Sequence, residues 1–162
     1  MAELISYPHM SKRESAIWGA FMRNVRLPKG VLYYDARVGR PIPAEPGESP
    51  WVSSVRQMTS RKRLDAVLIT EGAVWIFEVK VRGGLSAVGQ AIGYEYLFGQ
   101  AIRGESPVYV VLVCDVVVID VDNILAHEGI GLYVVHAKRG DFWNMPELYA
   151  AMKGIYAYRR DL

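Results

Sequence analysis

The stretch Leu64-Asp65-Ala66-Val67-Leu68-Ile69-Thr70-Glu71-Gly72-Ala73-Val74-Trp75-Ile76-Phe77-Glu78-Val79-Lys80-Val81 decides the fold. Its two halves are rich in β-branched and aromatic residues and flank Glu71-Gly72, a pair suited to a two-residue hairpin turn. Leu64, Ala66 and Leu68 fall on one face of the predicted hairpin, and Val67, Ile69, Val74 and Ile76 on the other. Apolar residues on both faces predict a sheet covered on both sides.

Outward from the hairpin, the pattern alternates between helix and strand. Upstream, Ile17, Trp18, Phe21, Met22 and Val25 recur at helical spacing, and Ser11 with Glu14 forms the S-x-x-E of a capping box, so a helix is predicted from Ser11 to about Asn24. Val31–Tyr34 reads as a short strand, residues 39–50 as an exposed Pro/Gly loop, and Trp51–Met58 as a further strand. Downstream, Ser86 is placed to cap a helix ending near Gly99. Val108–Val118 predicts a buried strand, Asp122–Glu128 a short helix, Leu132–His136 a strand, and Pro146–Tyr158 a last helix. The whole is an α/β chain with a mixed β-sheet core and helices on both faces, organised as one domain over residues 1–162.

Composition narrows the class. The chain of 162 residues is 51% hydrophobic and 22% charged, enough for a core and too apolar for a disordered tail. Cys114 is the one cysteine, which excludes a disulfide framework and any multi-cysteine metal site. Val108–Val121 is the most apolar run, too short for a membrane helix and interrupted by Asp115. Met1–Arg13 does not resemble a secretory signal, so a soluble, cytoplasmic protein with no membrane partner is expected. The net charge of +2 divides unevenly, because residues 1–63 are basic and the remainder acidic. Such a division fits a polyanion-binding surface beside an acidic site, or merely solvated faces.

With Glu71-Gly72 at the turn, paired positions sum to 143, and Asp65 lies across from Glu78 on one face. Opposed residues hold their Cβ atoms about 4.5–5.5 Å apart. Two carboxylates at that distance repel by roughly 3 kcal/mol at an effective dielectric of 20. A shared proton, a cation between them, or basic neighbours could compensate. Lys80 projects from the same face two residues beyond Glu78, Arg63 would pair with Lys80, and Arg61 and Lys62 lead in. The spacing alone fits two readings equally. One is a Mg²⁺ or Mn²⁺ site, since such ions take one or two carboxylates and complete their shell with water and phosphate. The other is a neutralised cluster in which Lys80 and Arg63 salt-bridge both acids.

Further along, Gln90 and Tyr94 sit four apart on one face of the predicted helix. Asp65, Glu78-Val79-Lys80 and Gln90-Ala91-Ile92-Gly93-Tyr94, in this order, resemble the PD-(D/E)xK nuclease superfamily and the Q-x-x-x-Y signature of its RecB-like and lambda-exonuclease-like branches. The resemblance spans roughly residues 10–137, with Leu64 in place of the nominal proline. It implies a restriction-endonuclease-like αβββαβ core and a divalent-metal-dependent nuclease acting on DNA. By the same resemblance Asp65, Glu78 and the Val79 backbone carbonyl hold the metal, Lys80 is the catalytic lysine, and Gln90 and Tyr94 support the site and contact nucleic acid. The family often carries a glutamate on its first helix. Glu14 could be that third acid, though its capping role explains it as well. Arg61, Lys62 and Arg63, joined by Arg37, Arg40 and Arg56, are the candidate phosphate contacts. Relatives that process DNA ends often work as rings and junction resolvases of this fold as dimers, so a homo-oligomer is implied. The alternatives are a Holliday-junction-type resolvase or a catalytically inactive nucleic-acid-binding module. His9, His127 and His136 share no metal-ligand or catalytic spacing.

Overall fold

A computed structural model describes residues 6–135. Five strands form a mixed sheet in the order β1-β2-β3-β4-β5: β1 (Val31–Val38), β2 (Lys62–Ile69), β3 (Val74–Gly83), β4 (Val108–Val117) and β5 (Gly131–Val134). Strand β2 pairs antiparallel with both β1 and β3, and β3, β4 and β5 run parallel. Helices α1 (Lys12–Asn24), α2 (Pro50–Ser60), α3 (Leu85–Ala101) and α4 (Val121–His127) complete the described chain. The expected α/β architecture is present, and the order α1-β1-β2-β3-α3-β4 runs as anticipated with α2 inserted after β1. The helix expected over Pro146–Tyr158 lies outside the described residues. Among the described residues no helix is long and apolar enough to cross a membrane.

The hairpin register is the one the turn predicts. Ala66 pairs with Phe77, Val67 with Ile76, Leu68 with Trp75 and Ile69 with Val74. Thr70 closes the turn by donating its backbone N–H to the Ala73 carbonyl at 3.0 Å.

Each face of the sheet carries its own core. On one side Ile17, Trp18 and Phe21 of α1 pack against Ala66, Leu68, Phe77, Val79, Val111 and Tyr133. Rings dominate there: Trp18 lies 5.1 Å from Phe21 and 5.3 Å from Phe77, and Phe21 lies 5.0 Å from Tyr133. The buried Trp18 indole N–H donates to the Tyr34 hydroxyl at 3.1 Å, so the polar end of the largest side chain is satisfied. On the other side α3 and α4 cover Val67, Ile76, Val110, Leu112 and Leu132. Cys114 is part of this second core, where burial pushes its thiol up to about 12. It is a packing residue.

Several local expectations are corrected. Trp51–Met58 is the body of α2, capped by Ser49 and opened by Pro50, and is not a strand. Helix α3 begins at Leu85 with Gly84 at the cap position, two residues before the expected cap Ser86. Just before it, a Cβ on Gly83 would stand 2.9 Å from the Leu112 side chain, so the β3 exit packs closely on β4. Strand β1 extends four residues past Tyr34 because Ala36, Arg37 and Val38 find partners along β2 as Val31–Tyr34 do, on either side of Asp35, which has none in the β1–β2 ladder.

A candidate acidic site in a notch of the sheet

The site is produced by a split in the sheet. The β2–β3 ladder stops at Ala66↔Phe77, whereas β2 stays paired with β1 as far as Lys62↔Val38, and β3 stays paired with β4 as far as Gly83↔Val117. Lys62–Asp65 therefore leaves β3 and opens a notch beside Glu78–Gly83. A backbone feature marks the place. Asp35, opposite Asp65 in the β1–β2 register, has φ 55°, a left-handed conformation that aspartate tolerates better than most residues. Across it the strands roll. Tyr34 and Ala66 pack on the α1 side, while Ala36 and Leu64, two residues away, pack on the α3 side.

Asp65 spans the notch. Its Oδ2 accepts a hydrogen bond from the Val79 backbone N–H at 2.8 Å, where a ladder partner would otherwise sit. In an extended strand a residue's N–H and C=O leave on the same edge. The Val79 carbonyl is thereby turned toward β2 as well. Glu78, on the face covered by α3, is only 2% exposed, and its Oε1 lies 2.6 Å from Lys80 Nζ. Glu78 Oε2 is buried without a hydrogen-bond partner among the described residues. Such an orphaned carboxylate oxygen is costly unless a proton or a cation meets it.

The electrostatics carry the same strain. Burial, reinforced by the neighbouring Asp65 charge, pushes the Glu78 carboxyl up to about 7. Burial likewise raises Asp65, with the Val79 hydrogen bond and Lys80 pulling the other way. Burial lowers the Lys80 ammonium, but the attraction of Glu78, Asp65 and Glu14 outweighs it and leaves the group above its ordinary value. Tyr94 of α3, within electrostatic reach of both acids, is pushed up to about 12 by burial and by the charges of Glu78 and Asp65, so its hydroxyl keeps its proton.

The structure thus brings Asp65, Glu78, Lys80 and Tyr94 together, with the Val79 backbone in the notch. Gln90 stands one turn before Tyr94 on α3 and is half-buried. Glu14 takes the capping role that the sequence offers it. It closes the capping box of α1, donating its N–H to Ser11 Oγ and accepting from the Ser11 N–H at 2.8 Å, and it lies within electrostatic reach of Asp65, Glu78 and Lys80. Among the described residues no group of three or more His, Cys, Asp or Glu side chains is gathered tightly enough to hold a metal ion. The donors that converge are two carboxylates, one with an unpartnered buried oxygen, and a backbone carbonyl turned toward them. That set fits a hard cation that keeps several of its waters.

Arg63 does not belong to the cluster. Instead of pairing with Lys80 it stands opposite Arg37 on β1 and grips Asp35 with one guanidinium edge, Nε donating to Oδ1 and Nη2 to Oδ2 at 2.7 Å. The reason is the end of the β2–β3 ladder, which removes Lys80 from its reach. The Arg63 hydrogen bond in turn lowers Asp35. Two more candidate phosphate contacts are engaged within the chain. Arg56 is ion-paired with Glu45 and Glu48, and Arg37 donates to the Met58 carbonyl. Arg40, Arg61 and Lys62 are exposed.

Two residues near the site carried no sequence signal. His9, with φ 67°, lies within electrostatic reach of Asp65 and Asp35, and Asp35 owes its place to β1–β2 pairing alone. No motif spacing could have found either.

No family model matches the chain, and neither a curated protein nor a solved structure matches it significantly.

Proposed function

We propose that this chain is a divalent-metal-dependent nuclease of the PD-(D/E)xK type, hydrolysing phosphodiester bonds of DNA. The observation that supports it most is the convergence of Asp65, Glu78 and Lys80 in a notch of the sheet, with a buried Glu78 oxygen lacking a partner. In this reading Asp65, Glu78 and the Val79 carbonyl hold Mg²⁺ or Mn²⁺. Bound there, the ion would supply Lewis acidity at a phosphoryl oxygen and lower the pKa of a coordinated water. Lys80, a fully charged ammonium, orients the attacking water and stabilises negative charge developing on the phosphate. Tyr94 keeps its proton and donates a hydrogen bond from the α3 wall, with Gln90 beside it. Arg61 and Lys62, exposed at the mouth, hold the backbone of the polynucleotide in a salt-sensitive, sequence-independent way.

The 2.6 Å contact between Lys80 and Glu78 favours a second reading, an inactive nucleic-acid-binding module whose acidic cluster is neutralised internally. One experiment separates them. Pure protein is incubated with single-stranded, blunt duplex, circular and four-way-junction DNA, with Mg²⁺, Mn²⁺ or chelator. The nuclease reading expects metal-dependent scission that Asp65→Ala and Lys80→Ala abolish. Preference for the junction would assign a resolvase. Binding indifferent to metal, with no scission of any substrate, would assign the module, and wild-type cutting by Asp65→Ala would overturn the site.

A further inference from the structure

Helix α2 is a helix without a buried face. None of its residues is buried, and Trp51 is 75% exposed. Trp51, Val55 and Met58 recur at i, i+4 and i+7; Val55 is half-buried, and Trp51, Val52 and Met58 are exposed. An isolated helix of this length is marginal in water. Here it is held in place by tethers. Ser49 caps its start, Arg56 ties it to Glu45 and Glu48, Ser60 Oγ accepts from the Ile42 N–H, and Arg37 grips the Met58 carbonyl.

Its surroundings say what it faces. From Ser49 to Leu64 the chain holds Arg56, Arg61, Lys62 and Arg63 and no acidic residue. Arg56 and Arg63 have intramolecular partners, which leaves Arg61 and Lys62 as the exposed cations at the helix end, with Arg40 exposed at the start of the loop. An exposed indole at one end of the helix and unneutralised cations about 16 Å away at the other complement an extended polyanion that also presents aromatic faces.

The helix also hangs at the acidic end of the sheet. Lys62 is three residues from Asp65, about 10 Å along the strand. At the other end of the excursion, Gly39 lies against the Leu97 side chain of α3, one turn beyond Tyr94. With α2 itself about 16 Å long, Trp51 stands within about 30 Å of Asp65.

The geometry points to α2 as a stacking platform for an unpaired DNA strand: Trp51 takes a nucleobase on its exposed face while Arg61 and Lys62 hold the phosphates that lead to Asp65 and Glu78. It rests on the nucleic-acid reading above and narrows it to substrates with unpaired bases. A blunt duplex, its bases stacked on one another, offers Trp51 only its terminal pair. Base–aromatic stacking is sequence-tolerant, so the platform selects single strands without selecting sequence.

The test compares parent, Trp51→Ala and Trp51→Phe for binding to a fluorescein-labelled oligothymidine and to a blunt duplex, by fluorescence anisotropy in chelator. Working without metal keeps the result independent of scission. Trp51→Ala is expected to weaken oligothymidine binding about tenfold, Trp51→Phe to restore most of it, and duplex binding to stay within about twofold of the parent. Oligothymidine should also quench intrinsic fluorescence more in the parent than in Trp51→Phe, since Trp18 and Trp75 are buried and Trp143, outside the described residues, is common to both proteins. Equal affinity of Trp51→Ala and parent for oligothymidine overturns the platform. So does an equal loss on both DNAs, or a change from oligomer to monomer in Trp51→Ala, which would make the helix a contact between copies. If the parent never cuts DNA with metal yet shows the Trp51-dependent preference, the nuclease reading falls and the platform stands.

Discussion

Replacing Glu78 by glutamine should make the metal-free protein more stable above neutral pH, although it removes one side of an ion pair. Glu78 is 2% exposed, and burial with the Asp65 charge raises its carboxyl from 4.5 to about 7. A carboxyl raised on folding binds its proton more tightly in the native state than in the unfolded chain. Its contribution is therefore present in full below about pH 4.5 and is lost as pH climbs through about 7. The displacement corresponds to about 3 kcal/mol at most, from 1.36 kcal/mol for each pH unit. Glutamine is nearly isosteric and carries no charge to bury. Lys80, which loses its partner, is 28% exposed along its side chain and can recover water. Urea unfolding in chelator, followed by tryptophan fluorescence, measures the balance. The parent should lose stability between about pH 5 and pH 8 while Glu78→Gln loses less, and near pH 8 the variant should exceed the parent by about 1–3 kcal/mol. Added Mg²⁺ should raise the parent midpoint near pH 8 and leave the variant almost unmoved. If Glu78→Gln is instead less stable than the parent near pH 8, the Lys80–Glu78 pair is a net stabiliser. The carboxylate would then not be poised for a cation, and the reasoning fails.

Asp65→Asn and Asp65→Ala should part company. Both are expected to lose metal-dependent scission of DNA, but asparagine keeps an acceptor for the Val79 N–H, whereas alanine strands that buried donor and should cost about 1–3 kcal/mol in the same urea titration. In the α1 core, Trp18→Ala empties the fully buried centre of the ring cluster and removes the donor to Tyr34, so thermal melting should report a loss of about 3–5 kcal/mol.

What could be read from the amino acids and what could not divides by the range of the interaction. The hairpin register follows from Glu71-Gly72 and a period of two, both local, and Ala66↔Phe77 pairs as that rule requires. Asp65↔Glu78 is the next pair that rule gives, but the ladder ends one pair short of it, and Asp65 reaches β3 through the Val79 N–H instead. The rule says nothing of where a ladder stops, and Arg63 was misplaced for that reason. The strands part after Ala66, Asp35 adopts φ 55°, and Arg63 meets a carboxylate 28 residues away that no spacing connects to it. Helix α2 was a different failure, because its signals were present. Ser49-Pro50 is a helix start, and apolar residues at 51, 52, 55 and 58 have the helical period, but β-branched and aromatic content outweighed them in the strand reading. The basic segment shows why charge counts overstate a binding surface. Of the arginines offered as phosphate contacts, Arg37, Arg56 and Arg63 spend their donors on Met58, on Glu45 and Glu48, and on Asp35, holding the β1–α2–β2 excursion in place. Their role is to position Arg61, Lys62 and the end of β2. A phosphate-binding assay should therefore respond more to Arg61 and Lys62 than to the three arginines that precede and follow them.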